Sequence, residues 1–417
     1  MKVDLLMLFN SMTKKLEEFQ PSEREKVRIY TCGPSIYQLP HIGNYRTFLY
    51  EDILVRYLEY LEYKVERTIF ITDVEDKAIT EAEKEDKTLK QLTEKNADLF
   101  LKELKKLGAK TPTYIARAST SVDQAAQIIE NLLRKGYAYW YKRNVYYDPL
   151  KFKNFGRLYG LDLTKWPKKK RRFHKDTYPG NIWNRGDFIL WHGYQKRDKE
   201  VHWDTSLGKG RPAWNIQDPA MAMQSQGLKA DIYCGGVDNM IRHHDYVIAV
   251  VEGVTGEQFA RYWLHGEHLF VDGKKMSKSR GNIIYPRDLI ERGCVWQHMR
   301  FFLINGYYQK RLNFTFDKFK KACDRLHKFK DMVNKLQHIK AKTEKPNSAA
   351  RELIAQLKIG FEENMNNDLH VRDAFDAIFK TTSKLVSLAE RGRVNEDEAE
   401  EAVAKLKSID HVLQVIF

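Results

Sequence analysis

Two short stretches decide the fold: His41-Ile42-Gly43-Asn44 near the start of the chain, and Lys275-Met276-Ser277-Lys278-Ser279 far downstream. The first stretch lies between residues 27–32, which have the apolar run of a buried strand, and residues 47–60, which have helical apolar spacing. The sequence therefore predicts a strand-to-helix turn, where free backbone N–H groups and the helix dipole favour a triphosphate. Gly43 would let a nucleotide approach the backbone, and His41 and Asn44 supply hydrogen-bond donors for charge on the α-phosphate.

The second stretch follows Val271-Asp272-Gly273 in a polar segment. A loop there could close over a leaving pyrophosphate, with Lys275 and Lys278 neutralising its charge. Each stretch alone is weak evidence, because a His-x-Gly-Asn tetrapeptide is common in loops and a lysine-rich loop is usually only solvated. Their occurrence together, in this order and separated by the length of a nucleotide-binding domain, predicts chemistry that forms an adenylate.

Bulk properties narrow the class of protein. A chain of 417 residues is expected to form two or three domains. Its 71 Lys and Arg residues against 56 Asp and Glu give a net charge of +15, which suits a polyanion such as RNA, although a merely basic protein remains an alternative. Four scattered cysteines indicate a reducing compartment. Because we find neither a signal-peptide pattern nor an apolar run of about 20 residues, we expect a cytoplasmic protein without a membrane segment.

Alternation of strand-like and helical stretches over residues 27–76 predicts an α/β fold with a parallel sheet. Residues 77–135 are expected to be mostly helical, residues 137–147 to form a hairpin, and the chain after residue 285 to be helical. The basic run Lys168-Lys169-Lys170-Arg171-Arg172 is typical of a solvated insertion loop. Interleaved aromatic residues make contact with an RNA backbone the alternative; these are Trp166, Phe173, Tyr178 and Trp183.

The chain resembles the cysteinyl-tRNA synthetases, a class I aminoacyl-tRNA synthetase family, along nearly its whole length. The resemblance rests on the two stretches above and on further segments at residues 8–14, 30–37, 71–77, 210–221 and 231–238, followed by His243-His244. It implies a Rossmann-like, doubly wound parallel sheet with an insertion, followed by an α-helical bundle. The implied boundaries are residues 1–135 and 210–283 for the two halves of the catalytic domain, 136–209 for the insertion, and 284–417 for a stem-contact region and the bundle.

The resemblance also implies a reaction. An amino acid's α-carboxylate attacks the α-phosphate of ATP, giving an aminoacyl-adenylate and pyrophosphate, and the acyl group then passes to tRNA. Mg²⁺ is expected to arrive on the phosphates. His41, Asn44, Lys275 and Lys278 would be catalytic. The remaining ATP-site residues would be Gly43, Gly235, Gly236, Asp238, Met276 and Ser277, and the amino-acid pocket would contain Cys32, Tyr37, Thr72, Trp214, Asp218, Tyr233 and His243.

The sequence departs from the family at the metal. Family members hold one zinc through Cys, Cys, His and Glu, and the zinc binds the substrate thiolate. Here Cys32 and His243 match, but Asp218 replaces the second cysteine and Val247 replaces the glutamate. Tyr233 stands where a histidine is expected, and Cys234 replaces a glycine beside it.

Two hypotheses follow for this pocket. In the first, Cys32, Asp218 and His243 form a three-ligand zinc site with an open fourth position, assisted by Cys234 or His244. In the second, the metal is absent, and Asp218 is a bare carboxylate that favours a substrate with a cationic or hydrogen-bonding side chain. Val247 favours the second hypothesis, because it removes a ligand and dries the site.

A last departure concerns length. Full synthetases of the family continue into an anticodon-binding domain, whereas this chain stops at Phe417. In this it resembles the related ligase of the mycothiol pathway, which also lacks that domain and joins cysteine to an amino sugar. The acceptor could therefore be tRNA or a small amine. A non-catalytic RNA-binding paralogue is a third alternative, disfavoured by the two intact ATP motifs. We expect a monomer.

Overall fold

The computed structural model describes residues 5–161, 187–341 and 347–417. Its centre is a five-stranded parallel sheet. Strands and helices are numbered along the chain, and the spatial order of this sheet is β12 (Ala260–Gly266), β11 (Ala230–Gly236), β3 (Lys26–Ser35), β4 (Lys64–Thr72) and β5 (Tyr114–Arg117). The chain builds outward from β3 through β4 to β5, and later adds β11 and β12 on the other side. The strand order therefore reverses between β3 and β11, where ligands bind in open α/β sheets, outside the carboxyl ends of the strands.

Helix α1 (Ile42–Tyr60) joins β3 to β4 and presents the first sequence stretch. It begins five residues before the stretch in which apolar periodicity is visible, because His41 and Asn44 form a reciprocal capping box. The His41 side chain accepts a hydrogen bond from the Asn44 N–H, and the Asn44 side chain accepts one from the His41 N–H. Such caps satisfy backbone donors that the helix itself leaves unpaired, so polar residues start the helix here.

The stretch expected to be mostly helical contains α2 (Asp76–Lys84), α3 (Leu89–Lys106) and α4 (Val122–Arg134). The expectation missed β5, which lies between α3 and α4. This edge strand has four residues, and its first two, Tyr114 and Ile115, are 40% and 39% exposed. A short strand with an exposed beginning has no alternating apolar pattern by which to recognise it.

The region expected to be an insertion contains most of a second sheet, which is antiparallel throughout. Its spatial order is β6 (Ala138–Tyr141), β7 (Asn144–Tyr147), β8 (Phe188–Gly193), β10 (Gly208–Pro212) and β9 (Trp203–Thr205). The hairpin predicted at residues 137–147 is confirmed by the pairing of β6 with β7. The basic run at residues 168–172 and its interleaved aromatic residues lie outside the described residues. Helix α5 (Trp214–Ser225) then returns the chain to the central sheet.

The second sequence stretch belongs to a small sheet. Strand β13 (Leu269–Val271) pairs with β14 (Lys274–Lys275) through a tight turn at Asp272 and Gly273, both with positive φ. It also pairs in parallel with β15 (Leu312–Phe314). Lys275 therefore ends a strand, and Lys278 begins a short 3₁₀ turn. Part of the expected loop is thus anchored by strand pairing.

Of the remaining strands and α-helices, β1 (Met7–Asn10) and β2 (Lys15–Glu18) form a hairpin, and α6 (Asp245–Thr255) lies between β11 and β12. The C-terminal part of the chain is helical and contains α7 (Pro286–Ile290), α8 (Trp296–Ile304), α9 (Phe316–Gln337), α10 (Ser348–Asn366), α11 (Val371–Glu390) and α12 (Glu396–Leu413). The predicted α/β fold followed by a helical bundle is confirmed. Arg300 ties the bundle to α1: it is fully buried, pairs with Asp52 at 2.7 Å, and donates to the carbonyls of Leu107 and Leu413. In the part of the chain that the structure describes, we find no helix with the length and apolarity needed to cross a membrane.

Candidate active site

The two sequence stretches, more than 200 residues apart, meet in one cavity of about 150 Å³ at the carboxyl edge of the central sheet. Its lining combines residues of both stretches with residues that follow β11 and β12; these are His41, Gly43, Asn44, Thr47, Gly236, Asp238, Gly266, Glu267, His268, Leu269, Lys275 and Met276. Gly43 lies directly against the second stretch, because a Cβ atom at position 43 would be 2.6 Å from the Met276 Cε. The cavity thus places a helix N-terminus opposite a lysine, an arrangement suited to a polyphosphate.

His41 serves as a neutral polar group in this cavity. Burial lowers the pKa of His41 below its ordinary value, so the imidazole is uncharged at neutral pH. Positive charge for a phosphate therefore comes from the helix N-terminus and from Lys275, which is exposed and lies 3.3 Å, Nζ to Nε2, from His268. The expected partner Lys278 lies three residues further along the chain, and its side chain is outside the described part of the structure.

The opposite wall follows β11. Gly236 and Asp238 line the cavity, whereas Gly235 and Ser277 lie beside it. Gly235 is required by its neighbours: a Cβ atom there would lie 2.7 Å from the His244 Cε1. Its backbone is held by the Tyr50 hydroxyl, which donates to the Gly235 carbonyl at 2.9 Å. Close packing therefore explains this glycine.

Sequence reasoning missed several residues of the site. Glu267 and His268 line the cavity because they follow β12, a position that the rule for carboxyl ends of parallel strands could have indicated. Arg46, one turn into α1, gave no signal at all. It is buried and donates hydrogen bonds to four backbone carbonyls, those of Glu267, His268 (at 3.1 Å), Tyr307 and Lys310. Arg46 therefore holds in place the segment that forms this wall of the cavity.

Beside the nucleotide cavity, four residues expected in the amino-acid pocket form one hydrogen-bonded cluster, which we call the Asp218 cluster: Cys32, Asp218, Tyr233 and His243. The Tyr233 hydroxyl donates to Asp218 Oδ2 at 2.5 Å, and His243 Nε2 lies 3.0 Å from the same oxygen. Cys32 Sγ lies 3.4 Å from His243 Nε2. Asp218 is therefore not wholly bare, as the second hypothesis supposed: two neighbours contact Oδ2, whereas Oδ1 is buried without a hydrogen-bond partner in the described structure.

Of the other expected pocket residues, Trp214 contacts this cluster directly, whereas Thr72 and Tyr37 lie at neighbouring strand ends. The Trp214 indole stacks on the His243 ring, with centroids 4.1 Å apart and planes within 7°. Thr72 ends β4, and its carbonyl accepts a hydrogen bond from Ile36, the neighbour of Tyr37. These residues and the cluster lie at the same sheet edge, next to the nucleotide cavity.

The surroundings of Cys32 oppose ionisation of its thiol. Burial raises the pKa of the Cys32 thiol well above its ordinary value, and the carboxylates of Asp218, Glu51 and Asp238 raise it further. The thiol is therefore neutral at neutral pH. A cation would be needed to turn it into a thiolate.

We tested whether these side chains fit the zinc that the sequence resemblance implies. Cys32, His243 and His244 offer ligand atoms that all lie within 4.8 Å of one another. Because His244 Nε2 and Asp218 Oδ1 are also buried without a partner in the described structure, these side chains fit a cation. However, Val247 is fully buried in an apolar cluster and offers no ligand. Cys234 cannot help, since it packs in a different apolar cluster from its strand neighbour Tyr233, on the opposite face of β11.

Comparisons with known proteins agree with this geometry. A family model described as the class I (C) tRNA synthetase catalytic domain matches residues 18–324. The cysteine–tRNA ligase of Chlamydia pneumoniae is 36% identical over 416 residues, covering 99% of this chain and 87% of the relative. That of Brachyspira hyodysenteriae is 35% identical, covering 99% and 86%.

Among solved structures, methionyl-tRNA synthetase of Mycobacterium tuberculosis in complex with methionyl-adenylate aligns with a TM-score of 0.67 at 14% identity, covering 94% of this chain and 90% of that one. At this identity the likeness concerns the fold alone. The family model covers most of the chain, however, and the curated relatives match nearly all of it. The chain therefore belongs to the class I tRNA synthetases, in the family of the cysteine–tRNA ligases.

Proposed function

We propose that this protein activates an amino acid with ATP as an aminoacyl-adenylate and transfers the acyl group to tRNA. The observation that carries the proposal is the single cavity in which His41, Asn44 and Lys275 face one another. Adenylate formation needs little covalent chemistry from the protein beyond holding the two reactants in line and stabilising charge on the phosphates. The cavity supplies both.

Each residue has a role in this scheme. The N-terminus of α1, with His41 and Asn44, holds the phosphates and stabilises charge on the α-phosphate as the carboxylate attacks. Lys275, with Lys278 beside it in sequence, compensates the departing pyrophosphate. Gly236 and Asp238 lie where the nucleoside or the amino acid's ammonium group would bind, and Asp238 can accept their hydrogen bonds. Mg²⁺ would arrive on the triphosphate.

ATP–pyrophosphate exchange tests the first half-reaction. We expect exchange that depends on an added amino acid and that falls by about 10²- to 10³-fold in Lys275→Ala, since a charge-stabilising group has been removed. Lys384→Ala, in α11 and away from the cavity, is the matched control. Absence of exchange with every amino acid, in protein that is folded, would overturn the proposal and favour a non-catalytic RNA-binding role.

The second half-reaction is tested with labelled amino acid and total tRNA. The family and the net charge of +15 favour tRNA as the acceptor. We expect acid-precipitable product that is formed only with tRNA and is destroyed by ribonuclease. Stable product formed equally well without tRNA, once a small amine is supplied, would instead favour a small-amine ligase.

A further inference from the structure

We infer that His244 is a ligand in a zinc site of this protein, where it makes up for the family's glutamate that Val247 replaces. The other ligands of this rebuilt site are Cys32, Asp218 and His243. The site lies in the amino-acid pocket of the proposed enzyme, so its use rests on the proposed function. Binding of the metal by these residues, however, can be measured without any activity.

A π-helical turn presents two consecutive histidines to this site. The turn comprises Met240–His244 and leads directly into α6. In an α-helix, consecutive side chains point about 100° apart. The wider i→i+5 turn of a π-helix reduces that divergence, and such turns are frequent at functional sites. Here the rings of His243 and His244 lie with their centroids 5.2 Å apart, so both can contact one cation.

Three polar atoms around the Cys32 thiol are buried and have no hydrogen-bond partner in the described part of the chain. They are Asp218 Oδ1, His243 Nδ1 and His244 Nε2. Each such atom is destabilising, and native proteins contain few of them, so three in one cluster call for a missing partner. The ligand atoms of Cys32, His243 and His244 all lie within 4.8 Å of one another. A cation bound among these side chains supplies the partner.

The ring of His244 is held in place from behind. Its Nδ1 lies 2.8 Å from His265 Nε2, which leaves Nε2 as the nitrogen that it can offer to a metal. The ring is fully buried and packs against Gly235, where a Cβ atom would lie 2.7 Å from the His244 Cε1. A histidine that binds a metal usually has its second nitrogen hydrogen-bonded to a neighbour, and this bond fixes the orientation of the ring. His265 provides that support here.

The set of donors distinguishes this site from that of the family. Val247 is fully buried among apolar side chains and offers no ligand. Cys32 and Asp218 supply a sulfur and a carboxylate, and His243 and His244 supply two imidazoles. Zn²⁺ accepts all three kinds of donor. A carboxylate thus replaces the family's second thiolate and an imidazole replaces its glutamate, so the rebuilt site is recognised by a single sulfur and two histidines.

The first test uses the wild-type protein. The protein is produced in zinc-supplemented medium, its metal content is measured by mass spectrometry, and X-ray absorption at the zinc edge counts the ligands. We expect about one zinc per chain, bound by one sulfur at about 2.3 Å and by nitrogen or oxygen at about 2.0–2.2 Å, with the scattering pattern of two imidazoles. Folded protein without zinc, a second sulfur, or the pattern of a single imidazole would each overturn the inference.

Variants then separate His244 from its neighbours, with zinc affinity measured by competition with a chelator. His265→Leu removes only the support of the ring and should weaken zinc binding by about 10- to 100-fold, whereas His244→Gln removes a ligand and should weaken it by more than about 100-fold. Cys234→Ser, on the opposite face of β11, is the matched control and should bind zinc as the wild type does. Unchanged affinity in His244→Gln would overturn the inference.

Folding and activity are read separately from metal binding. The Tm of each zinc-free variant shows whether it is folded, and if His244→Gln is not, the ligand count in the wild-type protein still decides. Protein that binds zinc through one sulfur and two imidazoles but shows no exchange with any amino acid would refute the proposed function and leave this inference standing. Amino-acid-dependent exchange in folded protein that binds no zinc would do the reverse.

Discussion

Gly43 lies at the contact between the two ATP motifs, so Gly43→Ala tests whether that contact sets the rate of adenylate formation. The new Cβ would lie 2.6 Å from the Met276 Cε and 3.1 Å from two atoms of the His41 ring. Carbon atoms in contact prefer about 3.5–4.0 Å, so both neighbours must move. Met276 can move easily because its tip is flexible. His41 cannot, because its ring caps α1 by accepting from the Asn44 N–H.

The expected loss follows from these two displacements. Overpacking of this kind costs about 1–3 kcal/mol, and a disturbed helix cap costs about 1 kcal/mol more. If the penalty is expressed with nucleotide bound, the activation free energy rises by about 2–4 kcal/mol. The value of kcat/KM for ATP then decreases by about 30- to 1,000-fold. The same contacts are present without nucleotide, and the gain of up to about 1 kcal/mol in helix propensity offsets only part of their cost, so Tm should fall slightly while kcat/KM falls strongly.

The assay is ATP–pyrophosphate exchange at varied ATP, with Tm measured on the same protein. Met276→Ala combined with Gly43→Ala removes the shorter contact but not the contacts with His41, so it should recover part of the loss. Gly360→Ala, inside α10, is the matched control for the same substitution in a helix remote from the cavity. Wild-type kcat/KM in Gly43→Ala, or a loss that Met276→Ala does not reduce at all, would refute the reasoning.

Two further predictions concern stability. Arg300→Met removes one of the two arginines that pair with the buried Asp52 and leaves Arg56 at 3.0 Å as the remaining partner. The change should lower the free energy of unfolding by about 3 kcal/mol, the lower end of the range for a broken buried ion pair, and should be seen as a lower Tm. Adding Asp52→Asn should restore part of the loss, and additive losses would contradict the pairing. Burial, together with the nearby Arg211 guanidinium, lowers the pKa of His192 from 6.5 to about 3. The stability that neutral His192 contributes is therefore complete above pH 6.5 and declines as pH falls towards 3. His192→Gln should flatten the pH dependence of unfolding in that range by about 1.4 kcal/mol per pH unit, and an unchanged slope would contradict it.

Much of the nucleotide site could be predicted from sequence because its signals are local. The capping box of His41 and Asn44 lies within four residues, and glycines near a strand end mark close packing whatever the rest of the chain does. The second motif is equally compact. What joins the two motifs is a property of the sheet: β3, β11 and β12 are parallel neighbours, so their carboxyl ends meet at one edge.

Residues that act through long-range contacts could not be predicted. Arg46 is invisible in sequence, since its partners are backbone carbonyls more than 200 residues away. The hydrogen bond from the Tyr233 hydroxyl to Asp218 joins β11 to α5, and neither residue's role can be interpreted without it. From sequence alone Asp218 was either a ligand or a bare charge. The third possibility, a carboxylate with one oxygen bonded to a buried phenol and the other buried without a partner in the described structure, requires the tertiary structure.

Strand β11 explains how the amino-acid pocket can change while the nucleotide site stays intact. Successive side chains of a strand point to opposite faces, and here Tyr233 packs with the pocket side whereas Cys234 packs beneath α1. The backbone of the next residue, Gly235, is held independently by Tyr50. A substitution at position 233 therefore alters the partners of Asp218 without releasing Gly235, and Gly236 after it keeps its place in the wall of the cavity. Activation chemistry and side-chain selection occupy two faces of one strand, so the selected amino acid can change while the chemistry that activates it is preserved.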